Sequence, residues 1–271
     1  MLKRTIPSSG EKIAAIGVGT WRGFDIGSKP SERAPRRSVL ETLLGSEASV
    51  IDCSPMYGRS EEVVGDILAD LARGQNAFIA TKVWARGRSH GISQMKASFR
   101  LFRTDVIDLM QIHNLVDWRT QLATMRSWKN EGRFRYLGYT HYRPDAFDEL
   151  MNAIRSEPID FLQFCYSIID RDAEKDILPF CQANGIATLI NLPFGGGRLL
   201  SRLSQRPLPD LATELGCSNW AQYCLKYVIS HPGVTCSIPG TSNPIHMADF
   251  VAASDGPMPE EPLRRKMVEA L

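Results

Sequence analysis

The sequence predicts a (β/α)8 TIM barrel with an N-terminal β-hairpin and a C-terminal helix. Eight short, apolar, β-prone segments recur along the 271 residues, and most are separated by roughly two to three dozen residues with a helical pattern. No break in composition interrupts this alternation, so residues 1–271 are predicted to form one domain. A doubly wound open sheet competes with the barrel, but Gly17-Val18-Gly19 lacks the third glycine of its dinucleotide-binding fingerprint.

The elements follow from periodicity and from capping or turn residues. The predicted strands are 13–18, 50–52, 77–81, 106–112, 136–139, 159–164, 186–190 and 234–238. The predicted helices are 60–71, 92–102, 118–129, 146–154, 173–184 and 219–229, with a terminal helix at roughly 260–271. Residues 5–10 and 11–15 are expected to form the hairpin. The Gly-, Arg- and Pro-rich stretch 195–215 is predicted to be a long loop, which in a compact domain is usually functional.

Composition excludes several classes of protein. The net charge is +2, and the basic residues are interspersed with acids, so we expect no nucleic-acid partner. The six cysteines contain no Cys-x-x-Cys pair and are expected to be reduced, packed thiols. No apolar run is long enough for a signal-peptide core or a membrane span. We therefore expect a cytoplasmic monomer without membrane association.

Ionisable and polar side chains concentrate at the predicted carboxyl ends of the strands, where barrels of this kind place their chemistry. These residues are Trp21, Asp52, Lys82, His113, Thr140, Gln163, Asn191 and Gly240. Core packing alone would not place such groups at these positions. The sequence therefore predicts a site at this end of the barrel.

Three adjacent strand ends would bring Asp52, Lys82 and His113 together, and Tyr57 follows Asp52 by five residues. A lysine ammonium beside the phenol is expected to lower the pKa of Tyr57 from ~10 toward the operating range. Asp52 would hold the ammonium, and His113 would orient the oxygen that exchanges a proton with Tyr57. Each residue alone more often has a structural role, but their joint placement favours function.

Two glycine-containing segments allow two interpretations each. Gly195-Gly196-Gly197-Arg198 follows a predicted strand, and its backbone N–H groups could cradle a pyrophosphate or simply form a flexible loop. The segment 239–244 precedes a helix, as in many phosphate sites of barrels, yet the same residues suit an ordinary capped helix start. The sequence leaves both alternatives open.

Several stretches resemble the aldo-keto reductase superfamily, across essentially the whole chain. The most specific is IDCSPMYGRSEEVVG at residues 51–65. The others are GVGTW (17–21), ATKVW (80–84), DVIDLMQIHN (105–114), GRFRYLG (132–138) and IPGT (238–241). The resemblance implies a barrel oxidoreductase that reduces aldehydes or ketones through a catalytic tetrad of Asp52, Tyr57, Lys82 and His113.

The resemblance also implies NADPH, lying extended over the barrel mouth, and a set of residues that hold it. These are Gly19, Thr20, Trp21, Asp52, Thr140, His141, Gln163, Asn191, Leu192, Pro193, Phe194, Gly195, Gly197, Arg198, Ile238, Gly240, Thr241, Ser242, His246, Asp249 and Phe250. Trp21 and Trp84 would wall the substrate pocket, together with Tyr57 and His113. No metal is implied.

Some positions depart from the pattern of the superfamily. Thr140-His141 stands where Ser-Asn is common, and Asn191-Leu192 replaces a nicotinamide-stacking aromatic and a serine. In the adenosine segment Gly240 replaces a frequent lysine, His246 an arginine, and Asp249-Phe250 a Glu-Asn pair. Charged side chains that read a 2′-phosphate are thus replaced, so we expect weakened NADPH binding and some use of NADH.

Little sequence follows Phe250, so we expect an open substrate pocket and broad activity on small aldehydes. An alternative function is an NADPH-binding, redox-sensing or scaffolding barrel with little turnover. The intact tetrad favours the enzyme, whereas the altered cofactor contacts favour the sensor. A metal-dependent hydrolase is disfavoured, because the five histidines show no metal-ligand spacing.

Overall fold

The computed structural model describes residues 1–71 and 74–271 as alternating strands and helices. The strands are β1 (Lys3–Thr5), β2 (Lys12–Ala14), β3 (Val18–Gly19), β4 (Val50–Asp52), β5 (Phe78–Val83), β6 (Ile107–His113), β7 (Phe134–Thr140), β8 (Phe161–Cys165), β9 (Ala187–Asn191) and β10 (Cys236–Ser237). The helices are α1 (Pro30–Gly45), α2 (Ser60–Asp70), α3 (Arg88–Phe102), α4 (Trp118–Asn130), α5 (Phe147–Ser156), α6 (Ile177–Ala183), α7 (Arg198–Leu203), α8 (Asp210–Glu214), α9 (Trp220–Ser230), α10 (Pro244–Ala252) and α11 (Glu261–Glu269). Across these described ranges, no helix combines the length and the apolarity that crossing a bilayer requires.

Strands β3 to β10 form one parallel sheet in which each strand pairs with the next along the chain. The sheet closes because Ile16 and Gly19, at its first edge, bridge to Ser237 and Gly240 at its last. The backbone bond from Gly17 N to Ser237 O measures 2.8 Å and belongs to this seam. The predicted (β/α)8 barrel is confirmed, and its carboxyl-terminal edge gathers the side chains singled out in the sequence.

The first predicted strand, 13–18, is in fact two elements. Lys12–Ala14 pairs antiparallel with β1 in the hairpin, whereas Val18–Gly19 pairs in parallel with β4. Ile13 to Ile16 and Val18 are all buried, so the apolar run continues through the bend and gives no signal of a boundary.

The stretch 195–215 is not a loop, and that prediction was wrong. A 3-10 turn at Gly195–Gly197 leads into α7, and α8 follows after a short connection. Leu199 and Leu203 lie four residues apart and are both buried, as the apolar face of a helix requires. The neighbouring glycines and prolines obscured this short pattern.

The β1–β2 hairpin closes the amino-terminal floor of the barrel. Ile6 and Ile13 are buried there against strand residues that include Phe78 and Phe161. The Tyr136 hydroxyl lies 2.6 Å from Ser9 Oγ, which ties β7 to the hairpin turn. The floor is therefore apolar and packed, and access to the barrel interior is from the carboxyl-terminal end.

Helix α11 is anchored by one buried arginine. Arg264 Nη2 donates to Tyr166 Oη and to Glu174 Oε1, each at 2.7 Å. Tyr166 directly follows β8, and Tyr227 of α9 donates to the same Glu174 oxygen at 2.8 Å. The last helix is thereby fixed to the segment that follows β8.

Candidate active site

A buried ion pair lies at the centre of the carboxyl-terminal edge. Asp52 is the last residue of β4, and Lys82 is the next-to-last residue of the adjacent β5. Lys82 Nζ donates to Asp52 Oδ2 and to the carbonyl oxygen of Cys53, both at 2.7 Å. Lys82 is only 1% exposed and Asp52 3%, so water hardly screens their interaction.

The surroundings keep Lys82 charged. Burial acts to lower its pKa, but the charge of Asp52, the neighbouring Tyr57 and the hydrogen bond to Asp52 together raise the Lys82 pKa above its ordinary value. The result is an ammonium held in a dry environment, where its field acts strongly on adjacent groups.

Tyr57 lies above this ammonium, with Lys82 Nζ 5.0 Å from the centre of the phenol ring. The turn that carries Tyr57 continues through Gly58, whose φ of +59° is left-handed. A β-carbon at Gly58 would lie 2.2 Å from the Asp25 carboxylate, which itself accepts a 3.0 Å bond from Arg59 N. Glycine is therefore required beside Tyr57 on two separate grounds.

The expected fall in the Tyr57 pKa does not occur in this structure. Burial of the phenol raises its pKa above 10, and the opposing effect of the Lys82 charge is smaller. Asp52 adds to the rise. The cost of placing a phenolate out of water therefore exceeds the stabilisation by the ammonium, and the position of Tyr57 in the sequence does not reveal this cost.

His113 completes the group from the end of β6. Its ring meets the Tyr57 ring edge-on, with centroids 6.0 Å apart and an interplanar angle of 88°. Burial, assisted by the charge of Lys82, lowers the pKa of His113 to about 3. The imidazole is thus neutral at physiological pH. Asp52, Tyr57, Lys82 and His113 lie next to one another at the carboxyl-terminal end of the barrel, as the order of the strands predicted.

Two glutamines hold the second oxygen of Asp52. Gln111 Nε2 donates to Asp52 Oδ1 at 3.2 Å, and Gln163 Nε2 donates to the same oxygen at 3.0 Å. Thr140 donates to Gln163 Oε1 at 2.6 Å. Thr140 and Gln163, which were expected to bind a cofactor, therefore also belong to the hydrogen-bond network of the ion pair.

The sequence analysis missed Gln111, although a signal was available. Residues i and i+2 of a strand share a face, so Gln111 had to point into the barrel below His113. Gly138 makes room for it, because a β-carbon there would lie 2.9 Å from Gln111 Cγ. Gln111 is fully buried, which is unusual for a glutamine without a structural or functional partner.

The ends of β9 and β10 provide a different environment. Asn191 Oδ1 is buried and has no hydrogen-bond partner among the described residues. After it the backbone is left-handed at Leu192 and again at Gly195 to Gly197, before α7 begins. Arg198 lies beside a cavity of about 250 Å³, whose other lining residues are Ile169, Asp170, Gly195, Leu199 and Arg202.

The segment 238–250 is largely engaged in its own structure. Asn243 caps α10 by accepting a 2.9 Å bond from Ile245 N, and Thr241 Oγ1 accepts from Asn243 N at 3.0 Å. Asn243 thus caps the helix, and Thr241 forms the turn before it. Three other residues that were expected to contact the cofactor also make contacts within the protein. Asp249 accepts a hydrogen bond from Gln222, Phe250 packs on Phe194, and Ile238 lies in the core.

The remaining expected residues surround the mouth or support it. Thr20 is buried and donates to the Asp52 carbonyl oxygen at 3.0 Å, next to Gly19 on β3. Trp21 and Trp84 are 51% and 44% exposed, as walls of an open site would be. The rest are His141, Pro193 and Ser242, on the loops after β7, β9 and β10, and His246, in the first turn of α10.

Comparison with known proteins agrees with this geometry. The family model "Aldo/keto reductase family" matches residues 15–265. A methylglyoxal reductase of Escherichia coli, YeaE, is 29% identical over 261 residues, covering 93% of this chain and 89% of the relative. An NADH-specific methylglyoxal reductase of the same organism is 27% identical and covers 73% of this chain and 68% of the relative.

Solved structures show the same fold over nearly the full length. An aldo-keto reductase from Klebsiella pneumoniae in complex with NADPH has a TM-score of 0.82 at 26% identity, covering 99% of this chain and 95% of that one. The thermostable aldo-keto reductase Tm1743 has a TM-score of 0.83 at 28% identity, with both chains covered completely. The chain belongs to the aldo/keto reductase family and is an oxidoreductase of that family.

Proposed function

We propose that this enzyme reduces aldehydes and ketones with NADPH, with Tyr57 as the proton donor. The observation that carries the proposal is the Lys82–Asp52 ion pair, buried beside the Tyr57 ring. Buried ion pairs cost desolvation energy and seldom add net stability. A charge pair placed at the mouth of the barrel, next to a phenol and a neutral imidazole, is better explained by chemistry.

The residues present suit a nicotinamide cofactor. The unpartnered Asn191 Oδ1 offers an acceptor to a donor such as a carboxamide NH₂ group. In the left-handed run from Gly195 to Gly197, the first and last amides already donate to Leu192 O and Phe194 O. A pyrophosphate would therefore rely on the Gly196 N–H and on the neighbouring Arg198 guanidinium. Bound in this orientation, the cofactor would supply the hydride. Thr140, His141 and Gln163 would orient its ring.

The side chains would handle the proton. Because burial raises the pKa of Tyr57, the phenol stays protonated at neutral pH and can donate to an oxygen that becomes strongly basic on receiving hydride. The Lys82 ammonium then stabilises the phenolate. In the oxidation direction the phenol must first lose its proton, so neutral pH favours reduction.

The substrate class is proposed from the pocket and from the relatives. Trp21 and Trp84 are about half exposed and would present flat apolar surfaces beside Tyr57 and His113. Two of the relatives are methylglyoxal reductases. We therefore propose small aldehydes, methylglyoxal among them, as substrates.

For the cofactor we propose NADPH with appreciable use of NADH. Asn243 caps a helix and Asp249 is bonded to Gln222, which leaves Ser242 and the exposed His246 to bind a 2′-phosphate. Titration of both cofactors, followed by tryptophan fluorescence, would test this. A strong preference for NADH would contradict the proposal.

The test of function is NADPH consumption with 4-nitrobenzaldehyde or methylglyoxal. Tyr57→Phe should lower kcat by roughly 10²–10⁴-fold, the usual contribution of general acid catalysis, while NADPH binding is retained. Tyr136→Phe, at the floor of the barrel, is the matched control and should keep its activity. A Tyr57→Phe enzyme as active as the wild type would exclude the proposed proton donor.

A further inference from the structure

Ser54 connects the turn that carries Tyr57 to the ring of His113. Its side chain is completely buried, and Ser54 Oγ lies 3.0 Å from His113 Nδ1. Met56 N donates to the same oxygen at 3.2 Å, and Tyr57 N donates to the Ser54 carbonyl oxygen at 2.9 Å. One serine therefore contacts both groups proposed to act on the substrate oxygen.

The direction of the Ser54–His113 hydrogen bond follows from counting protons. A serine hydroxyl has one proton and two acceptor lone pairs, and Met56 N–H already occupies one lone pair. In the described part of the chain, His113 Nδ1 is the only other group bonded to Ser54 Oγ. If Nδ1 carried the hydrogen, the hydroxyl proton would be buried without an acceptor, at a cost of about 1–3 kcal/mol.

The position of the ring hydrogen matters because His113 carries only one. Burial and the charge of Lys82 keep the imidazole neutral. With Nδ1 accepting from Ser54, the hydrogen must be on Nε2. Nε2 makes no hydrogen bond within the described residues, so its N–H remains available to a ligand.

We propose that Ser54 is a positioning residue that holds neutral His113 with its hydrogen on Nε2, so that the ring donates a hydrogen bond to the substrate's carbonyl oxygen. This rests on the proposed reductase function. The same hydroxyl accepts from the turn before Tyr57, so it also sets the position of the phenol relative to the ring. His113 and Tyr57 then present two donors to one oxygen.

The tautomer can be measured without turnover. In 15N NMR spectra of the enzyme saturated with NADP+, the His113 resonances are assigned as those lost in His113→Gln. We expect Nε2 to have the shift of a protonated ring nitrogen and Nδ1 that of an unprotonated acceptor. In Ser54→Ala the two shifts should move toward each other, and Ser54→Thr should restore them. A wild-type Nδ1 that is protonated would overturn the proposal, whether or not the variants fold.

Kinetics provide the second measurement. Ser54→Ala should lower kcat about 10-fold, as expected for the loss of one orienting hydrogen bond, with little change in the Kd for NADPH. Ser60→Ala is the matched control, since Ser60 is equally buried in the same segment but its hydroxyl has no partner in the part of the chain that the structure describes. If Ser54→Ala retains wild-type kcat, or loses no more than Ser60→Ala, Ser54 has no positioning role. Full activity of Tyr57→Phe would instead refute the reductase mechanism and leave the NMR result intact.

Discussion

The two sides of the barrel mouth differ in how far their polar groups are already bonded to each other. Asp52, at the end of β4, receives hydrogen bonds from Lys82 of β5, Gln111 of β6 and Gln163 of β8, so both of its carboxylate oxygens are bonded within the protein. At the end of β9, the buried Asn191 Oδ1 has no partner within residues 1–71 and 74–271, and the backbone that follows is repeatedly left-handed. The proton-transfer side is preorganised by the protein, whereas the other side carries groups that a ligand would satisfy.

The largest effect on stability should come from removing one partner of the Lys82–Asp52 ion pair. Lys82→Met would leave Asp52 buried and uncompensated, and we expect a loss of roughly 3–5 kcal/mol in the free energy of unfolding. The double variant Asp52→Asn, Lys82→Met removes both charges and should regain much of that stability but no activity. Urea denaturation measures the stability of both variants, and NADPH consumption measures their activity. Equal stability of the single and double variants would show that the pair is not strongly coupled.

The pH dependence of stability should also report on the bonded side. The folded-state pKa of His113 is about 3, whereas a histidine in an unfolded chain has a pKa of ~6.5. Between these values the unfolded state binds a proton that the native state excludes, so stability falls as pH decreases, by up to about 1.4 kcal/mol per pH unit. This contribution is fully present above ~6.5 and is lost toward pH 3.

His113→Gln should remove that part of the slope. Urea midpoints at neutral and mildly acidic pH would show a smaller difference for the variant than for the wild type. Ser60→Ala, which alters no titratable group, should leave the slope unchanged. Identical slopes for all three proteins would mean that His113 does not exclude protons in the native state.

Alanine substitutions at Gly58 and Gly132 would distinguish the cost of a steric clash from the cost of backbone strain. Gly58 and Gly132 are both left-handed, with φ of +59° and +77°. A β-carbon meets the Asp25 carboxylate at Gly58 but nothing within 4 Å at Gly132. Alanine should cost about 1 kcal/mol at Gly132 and a further 1–3 kcal/mol at Gly58, where kcat should also fall because Tyr57 is adjacent. Comparable losses at both positions would show that Asp25 moves aside freely.

The smallest effect is expected on the other side of the mouth. His246→Arg would add a cation to the segment 238–250 and should increase the preference for NADPH over NADH by roughly 3-fold, as is usual for an exposed ion pair. Fluorescence titrations measure both affinities, and the NADH value is the internal control. A rise in both affinities alike would place residue 246 away from the 2′-phosphate.

How much could be predicted from the sequence differs between the same two sides. β4 was predicted with its observed bounds, and Asp52, Lys82 and His113 lie at or next to strand ends as expected. Position in a strand decides which way a side chain points, so sequence order was sufficient for these residues. Gln111 was overlooked only because it lies two residues before a strand end.

The remaining errors have physical causes that a linear pattern does not carry. The raised Tyr57 pKa depends on burial, which is a property of the folded chain and not of the residues next to Tyr57 in sequence. α1 was not among the helices named from periodicity, because Pro30 and Pro35 lie in its first half and its buried residues, Val39 to Leu44, all lie in the second. α7 and α8 are too short for their apolar spacing to outweigh the surrounding glycines and prolines.

The anchoring of α11 has a practical consequence for handling the enzyme. Arg264 lies seven residues from the end of the chain, yet it joins Tyr166 and Glu174, which follow the strand that carries Gln163. Proteolytic removal of α11 would therefore remove the contacts that hold the segment after β8, the strand whose Gln163 donates to Asp52. Preparations should be checked for an intact α11 by mass spectrometry before low activity is attributed to the chemistry.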